Sequence, residues 1–275
     1  MQATPRSAIV TGSSSGIGRA VVLRLLADGW RVHGIDQAAN DLAGGFRGWQ
    51  ADLTDPAALD AALQGIRAAS SGAPQAVVHA AGVLRVGSLG GLDASAGELM
   101  WKLHVGAATQ LADRLLPAMS AAGAGRMVLV GSRVSGGIAG RSQYAASKAA
   151  LVSLARSWAA ESIAAGVTVN VVSPAATDTP MLQDPALGLV HHAQRFFRRR
   201  PQLQAEQIGL GTLAAFQKLS DKQGGLHVPL GVLKQFKVQR FPLLWLPSLA
   251  AQGGGPIRHA AAVVGDRDGD LLLGL

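Results

Sequence analysis

The stretch TGSSSGIG, from Thr11 to Gly18, constrains this chain more than any other. It follows the apolar run SAIV and leads without a break into a helical pattern, so a strand has to turn sharply into a helix there. Glycines admit backbone dihedrals closed to other residues and let the chain approach a ligand closely, and the first turn of a helix offers unpaired N–H groups at the positive end of a dipole. Gly12 behind the strand, with Gly16 and Gly18 opening the helix, therefore describes a cradle for an anion, in the context that marks dinucleotide binding.

The same unit repeats along the chain. Short β-branched runs (AIVT, RVHGID, WQADLTD, QAVVHAAG, RMVLVGS and VTVNVVSP) alternate with helical patterns over 16–28, 56–69, 94–121 and 143–165. Such alternation implies an α/β fold with a doubly wound parallel sheet, helices on both faces, and ligands at the carboxyl ends of the strands where the strand order reverses. A length of 275 residues fits a single domain. Beyond Met181 the alternation fades. Residues 191–223 read as helical, 183–240 as a substrate lid, and 241–275 as a divergent segment, with the part from Gln239 to Gly255 irregular.

With 48% hydrophobic and 15% charged residues, the chain has the composition of a globular protein rich in buried strands. It has no cysteine, which excludes disulfides, thiolate metal sites and cysteine nucleophiles; no metal is expected. The N-terminal MQATPRSAIVTG lacks the layout of a signal peptide, and FPLLWLPSLAA is too short and too broken by proline to span a bilayer, so a cytoplasmic enzyme without membrane contact is expected. Most of the +8 net charge lies between His191 and Arg240, including Arg195 and the run Arg198, Arg199, Arg200. That run reads as a solvated face, as the rim of a pocket for an anionic substrate, or as a nucleic-acid contact. No aromatic-interleaved or groove-reading motif accompanies it, so nucleic acid is the least favoured.

Two further features carry chemistry. Asp36 closes the second strand where an acid accepts hydrogen bonds from an adenosine ribose, and Gln37 after it offers no cation for a 2′-phosphate, which favours NAD over NADP. In YAASK, Tyr144 and Lys148 lie four residues apart on one helical face. An ammonium beside a phenol stabilises the phenolate, so Lys148 is expected to draw the Tyr144 pKa from about 10 towards neutrality and ready it as a general base. Tyr144 is the only tyrosine. Ser132, twelve residues upstream at a strand end, is placed to hydrogen-bond the substrate oxygen.

Taken together, TGSSSGIG, Asp52-Leu53, HAAG at 79–82, Ser132, YAASK and SPAATDT resemble the short-chain dehydrogenase/reductase family over roughly residues 5–182. The resemblance implies a Rossmann-type sheet, a nicotinamide cofactor, and hydride transfer at a carbon bearing a hydroxyl or carbonyl. It implies that Gly12, Ser15, Gly16, Ile17, Gly18 and Asp36 contact the adenosine and pyrophosphate end. By the same likeness Asp52 and Leu53 flank the adenine, Ala81 and Gly82 pass beneath the cofactor, and Thr179 touches the carboxamide. Tyr144 is then the base and Lys148 holds the nicotinamide ribose, and a homotetramer is implied.

A narrower likeness lies in GIDQA, AAGVLRVG and SPAATDTPM, which resemble the 2,3-dihydro-2,3-dihydroxybenzoate dehydrogenases of catechol siderophore pathways. It implies an anionic dihydrodiol substrate whose carboxylate Arg85 or Arg141 would pair, with Met181 lining the ring pocket. Another short-chain enzyme acting on a ketoacyl or secondary-alcohol substrate, and a catalytically impaired nucleotide-binding homologue, are the alternatives. Three positions depart from the family pattern: His104 and His79 each replace an asparagine, and Ala175 replaces the glycine after Pro174. Since a histidine can donate, accept and relay protons, His104 is counted among the catalytic candidates.

Overall fold

The computed structural model describes residues 6–187 together with three short strand segments further along. Strands β1 (Ser7–Thr11), β2 (Arg31–Asp36), β3 (Phe46–Gln50), β4 (Ala76–His79), β5 (Gly125–Val130) and β6 (Val167–Pro174) pair in parallel in the order β3-β2-β1-β4-β5-β6. Strand β7 (Phe236–Val238) adds antiparallel to β6, an edge that the sequence pattern did not reveal. Val263–Gly265 and Leu271–Leu273 pair with each other within the segment expected to diverge. The expected helix over 191–223, the arginine run at 198–200 and most of the 183–240 lid lie outside the described residues.

Helices α1 (Gly16–Ala27), α2 (Pro56–Ala69), α3 (Ala94–Trp101), α4 (Ala107–Ala121) and α5 (Ser142–Ser162) connect the strands, and a single turn, α6 (Pro180–Gln183), follows β6. Residues neighbouring in a strand point to opposite faces, which divides the core in two. Ile9, Val77, Met127 and Leu129 pack with Leu59 of α2, Leu111 of α4 and Leu151 of α5. Their strand neighbours Ala8, Val10, Val78 and Val128 pack with Val21, Val22 and Leu25 of α1. Because both faces are covered, the strands read as continuous apolar runs and not as alternating ones.

One expected helix is broken. Residues 94–121 form α3 and α4 separated by a π-helical turn, Lys102–Gly106. A π-turn inserts one extra residue per turn, which re-aims the side chains around it. Within it His104 is fully buried.

The strand order reverses between β1 and β4, so a crevice opens beyond their carboxyl ends. It exists because the β1–α1 turn lies against the loop after β4 with no side chain between. Gly12 has φ +68°, and a Cβ there would lie 2.8 Å from the Ala81 nitrogen. A Cβ on Gly18 would strike the Gly12 carbonyl oxygen. Gly18→Ala is therefore expected to destabilise the fold by about 1–3 kcal/mol through overpacking. Urea unfolding measures this, and an unchanged midpoint would show that the turn has room after all.

Candidate active site

A cavity of about 960 Å³ occupies the crevice, and every candidate residue named from the sequence lines it. Gly12, Ser15, Gly16, Ile17 and Gly18 form one wall at the N-terminus of α1. Asp36, Asp52 and Leu53 lie at one end; Ala81, Gly82 and Thr179 line the middle; His104, Ser132, Tyr144, Lys148, Arg85, Arg141 and Met181 line the other end. The chain thus gathers residues from well-separated loops and helices around one space. The glycine turn, whose backbone a single Cβ would obstruct, suits the pyrophosphate of a dinucleotide.

At the acidic end, the Asp36 carboxylate accepts hydrogen bonds from the Ser14 amide and the Ala38 amide, each at 3.0 Å. These contacts fix the carboxylate beside the glycine turn. Asp52 instead accepts from the amide and hydroxyl of Thr54, both at 2.8 Å. The lysine and arginines lining the cavity, Arg85, Arg133, Arg141 and Lys148, stand beside the candidate catalytic residues, and none has an ion-pair partner among the described residues. Arg133 escaped the sequence reading, although its place directly after Ser132 was a usable signal.

Tyr144 is buried, and Ser132 lies within hydrogen-bonding reach of its phenol. Lys148 is 4% exposed; its Nζ donates to the Val130 carbonyl at 2.8 Å and stands 5.9 Å from the centre of the Tyr144 ring. The two side chains share a helical face, but the expected lowering of the tyrosine pKa is reversed. Burial pushes the Tyr144 phenol above its ordinary value, outweighing the downward pull of Ser132 and Arg141. The same burial draws the Lys148 ammonium down to about 7. Each group is driven towards its neutral form because a desolvated charge is costly.

Behind the lysine lie two buried histidines. The Ala81 amide donates to Thr11 Oγ1 at 3.2 Å, and Thr11 Oγ1 stands 2.8 Å from His79 Nδ1. With one lone pair engaged by the amide, the hydroxyl keeps a second lone pair and its own proton, so it can pair with Nδ1 in either tautomer of His79. Nε2 itself has no hydrogen-bond partner among the described residues. His104 accepts the Val83 amide at Nε2 (3.1 Å) and meets Ser147 Oγ at Nδ1 (2.9 Å). Both of its nitrogens are thus hydrogen-bonded. Thr11, Val83 and Ser147 were not singled out from the sequence; Ser147 was visible as the serine within YAASK.

A doubly wound sheet with a glycine cradle at its reversal, and a serine, tyrosine and lysine at the far end, defines a nucleotide-dependent oxidoreductase architecture. The short chain dehydrogenase family model matches residues 6–187, and the chain belongs to that family. It is 34% identical over 182 residues to the 3-oxoacyl-[acyl-carrier-protein] reductase FabG of Salmonella typhimurium, covering 63% of this chain and 74% of the relative. It is 36% identical over 178 residues to the 3-oxoacyl-[acyl-carrier-protein] reductase MabA of Mycobacterium tuberculosis, covering 64% and 71%.

Among solved structures, a short chain dehydrogenase/reductase family protein superposes with TM-score 0.65 at 32% identity, over 78% of this chain and 90% of that one. A putative NAD(P)-dependent gluconate 5-dehydrogenase from Beutenbergia cavernae, with NADP bound at low occupancy, gives TM-score 0.67 at 26% identity, over 76% and 88%. Both of these curated relatives are 3-oxoacyl-[acyl-carrier-protein] reductases, not dihydrodiol dehydrogenases. No helix among the described residues is long and apolar enough to cross a membrane.

His79 supplies a test of the buried polar layer. Burial and the neighbouring Lys148 charge lower its pKa from 6.5 to about 3, against backbone groups of Leu103 and His104 that favour the charged form. The folded state thus binds fewer protons than the unfolded chain between these values. The contribution of His79 is complete above 6.5 and is lost as pH falls towards 3. Between about pH 7 and about pH 5, the urea midpoint of the wild type is expected to fall more steeply than that of His79→Asn. Parallel slopes would show that His79 is solvated in the folded protein.

Proposed function

We propose that this protein is a carbonyl reductase that converts 3-oxoacyl thioesters to 3-hydroxyacyl thioesters at the expense of NADH. The observation that carries the reading is the grouping of Ser132, Tyr144 and Lys148 at one end of the cavity, beyond Ala81 and Gly82. A phenol that holds its proton beside a serine can pass it to a carbonyl oxygen, as reduction requires. The likeness to FabG and MabA, both 3-oxoacyl-[acyl-carrier-protein] reductases, points the same way.

In this reading the turn from Gly12 to Gly18, with Ser15 and Ile17, holds the pyrophosphate, and Asp36 takes the adenosine ribose. Asp52 and Leu53 flank the adenine, Ala81 and Gly82 underlie the cofactor, Thr179 meets the carboxamide, and Lys148 holds the nicotinamide ribose. When bound, a reduced nicotinamide supplies the hydride that reaches the carbonyl carbon. Ser132 orients the carbonyl oxygen and Tyr144 transfers its phenolic proton to it, so one hydride and one proton leave the hydroxyl of the product. Asp36 supports NADH over NADPH, since a fixed carboxylate repels a 2′-phosphate and no lysine or arginine among the described residues lines that end of the cavity. We retain the homotetramer as part of the proposal.

A second reading is the oxidation of 2,3-dihydro-2,3-dihydroxybenzoate by NAD, and its support is the group Arg85, Arg133 and Arg141. Three guanidiniums without carboxylate partners suit a carboxylic acid substrate, with Met181 beside the ring. An acyl carrier of phosphate character would satisfy them equally.

Following the absorbance of reduced nicotinamide separates the readings. Consumption of NADH with a 3-oxoacyl thioester is expected; formation of NADH from NAD and the dihydrodiol acid, without thioester reduction, would overturn the first reading in favour of the second. Tyr144→Phe is expected to cut kcat by about 10²–10⁴-fold while leaving NADH binding within a few-fold, as loss of a general acid does. A rate near that of the wild type would remove Tyr144 from the chemistry. Asp36→Ser is expected to narrow the preference for NADH over NADPH by about tenfold, corresponding to roughly 1.4 kcal/mol. A wild type that binds NADPH the tighter would refute the role given to Asp36.

A further inference from the structure

We propose that His104 is a positioning residue: a neutral imidazole that ties the loop after β4 to α5 and holds Tyr144 in place, without passing a proton. The proposal rests on Tyr144 being the proton donor of the reaction above, and it deepens the account of that site.

Both ends of the tie are backbone groups of fixed polarity. The Val83 N–H is a donor only, so His104 Nε2, 3.1 Å away, receives it with a lone pair and carries no hydrogen. At the other end the Tyr144 carbonyl is an acceptor only. It lies 2.9 Å from Ser147 Oγ, and the single Ser147 proton is directed to it. Ser147 Oγ must then accept from His104 Nδ1, at 2.9 Å, which places the histidine hydrogen there. One arrangement satisfies every group: Val83 N–H to Nε2, Nδ1–H to Ser147 Oγ, Ser147 O–H to the Tyr144 carbonyl.

Reversing this chain to move a proton through the ring would set an Nε2–H against the Val83 N–H and turn the Ser147 proton away from the Tyr144 carbonyl towards Nδ1. At a site that is wholly buried, such losses are costly. The depressed basicity of His104, which burial causes first and the Lys148 charge second, agrees with a ring that stays neutral.

The ring also touches what it positions. It stands edge-on to the Tyr144 ring, with centroids 5.6 Å apart and planes at 85°. It fills the space beside Gly82, where a Cβ would lie 3.0 Å from Nε2 and 3.4 Å from Lys148 Nζ. One side chain therefore sets the spacing of the loop at Gly82 and Val83, the backbone of Tyr144 and the tyrosine ring. The π-turn Lys102–Gly106 is the device that carries it inward.

The test uses substitutions that divide the two arms. His104→Gln keeps an acceptor within reach of the Val83 amide, His104→Asn keeps a donor within reach of Ser147, and neither side chain titrates. His104→Phe keeps a ring and loses both arms. Misplacement of a reacting group costs about a hundredfold, so His104→Phe is expected to lower kcat by about that factor with a smaller change in KM. The two amides are expected to recover at least part of the loss, with the limbs of the pH profile where the wild type has them. Ser147→Ala is expected to reproduce part of the loss and to combine non-additively with His104→Phe.

If both amides are as slow as His104→Phe and Ser147→Ala is silent, His104 is a relay and the proposal fails. A readout independent of turnover comes from the ¹⁵N resonances of the labelled wild-type ring. They are expected to report a neutral Nδ1–H tautomer from about pH 5 to about pH 9, the range in which an ordinary histidine titrates. An Nε2–H tautomer, or titration in that range, overturns the proposal. A protein that reduces no carbonyl while keeping the Nδ1–H tautomer would refute the proposed function and leave the tie standing.

Discussion

The close approach of two backbones, at Gly12 and at Ala81, is the constraint from which the rest of the site follows. Parallel strands reversing their order at β1 and β4 would leave only a shallow notch if the loops beyond them carried bulky side chains. The glycine at positive φ lets the β1–α1 turn fold flat against the β4 loop. That contact also engages Thr11, whose hydroxyl receives the Ala81 amide and reaches His79. The turn that opens the cradle thus anchors the buried polar layer beneath it.

This layer has one organising principle, which is the neutral state. His79, His104, Tyr144 and Lys148 are all at most 9% exposed. The charged form of each is disfavoured by desolvation before any other cause. Burial raises an acid and lowers a base, so the phenol is pushed above its ordinary 10.0 while the ammonium falls from 10.5 to about 7. The causes that pull the phenol down are Ser132 and Arg141, and not the lysine one helical turn away.

Much of this was legible in the sequence, because local patterns and local chemistry coincide there. The runs ending at Thr11, Asp36 and Val130 announced their strands, and TGSSSGIG, Ser132 and YAASK marked residues that the fold brings to one cavity. What was not legible depends on distance and on environment. The pattern over 94–121 reads as a single helix, since a π-turn changes the register without changing the apolar period. Arg133 reaches the cavity through a loop whose path no periodicity sets. The tyrosine pKa was misjudged because a four-residue spacing conveys proximity to an ammonium but says nothing of how far both groups are removed from water. The edge strand β7 pairs with β6 across more than sixty residues of intervening chain, a contact with no local signature.

The distribution of charge in the cavity bears on direction and on specificity together. Among the described residues that line the cavity, carboxylates stand at the end with Asp36 and Asp52, and lysine and arginine side chains at the end with Ser132 and Tyr144. In a cleft of low polarity such an arrangement acts as a field along its length, stronger than the same charges would produce in water. In the proposed reading an uncharged ribose is tolerated at the acidic end and a 2′-phosphate is opposed. At the cationic end the guanidiniums of Arg85, Arg133 and Arg141 would favour an anionic substrate, and Arg141 alone of the three also eases the charge that Tyr144 acquires when its proton leaves.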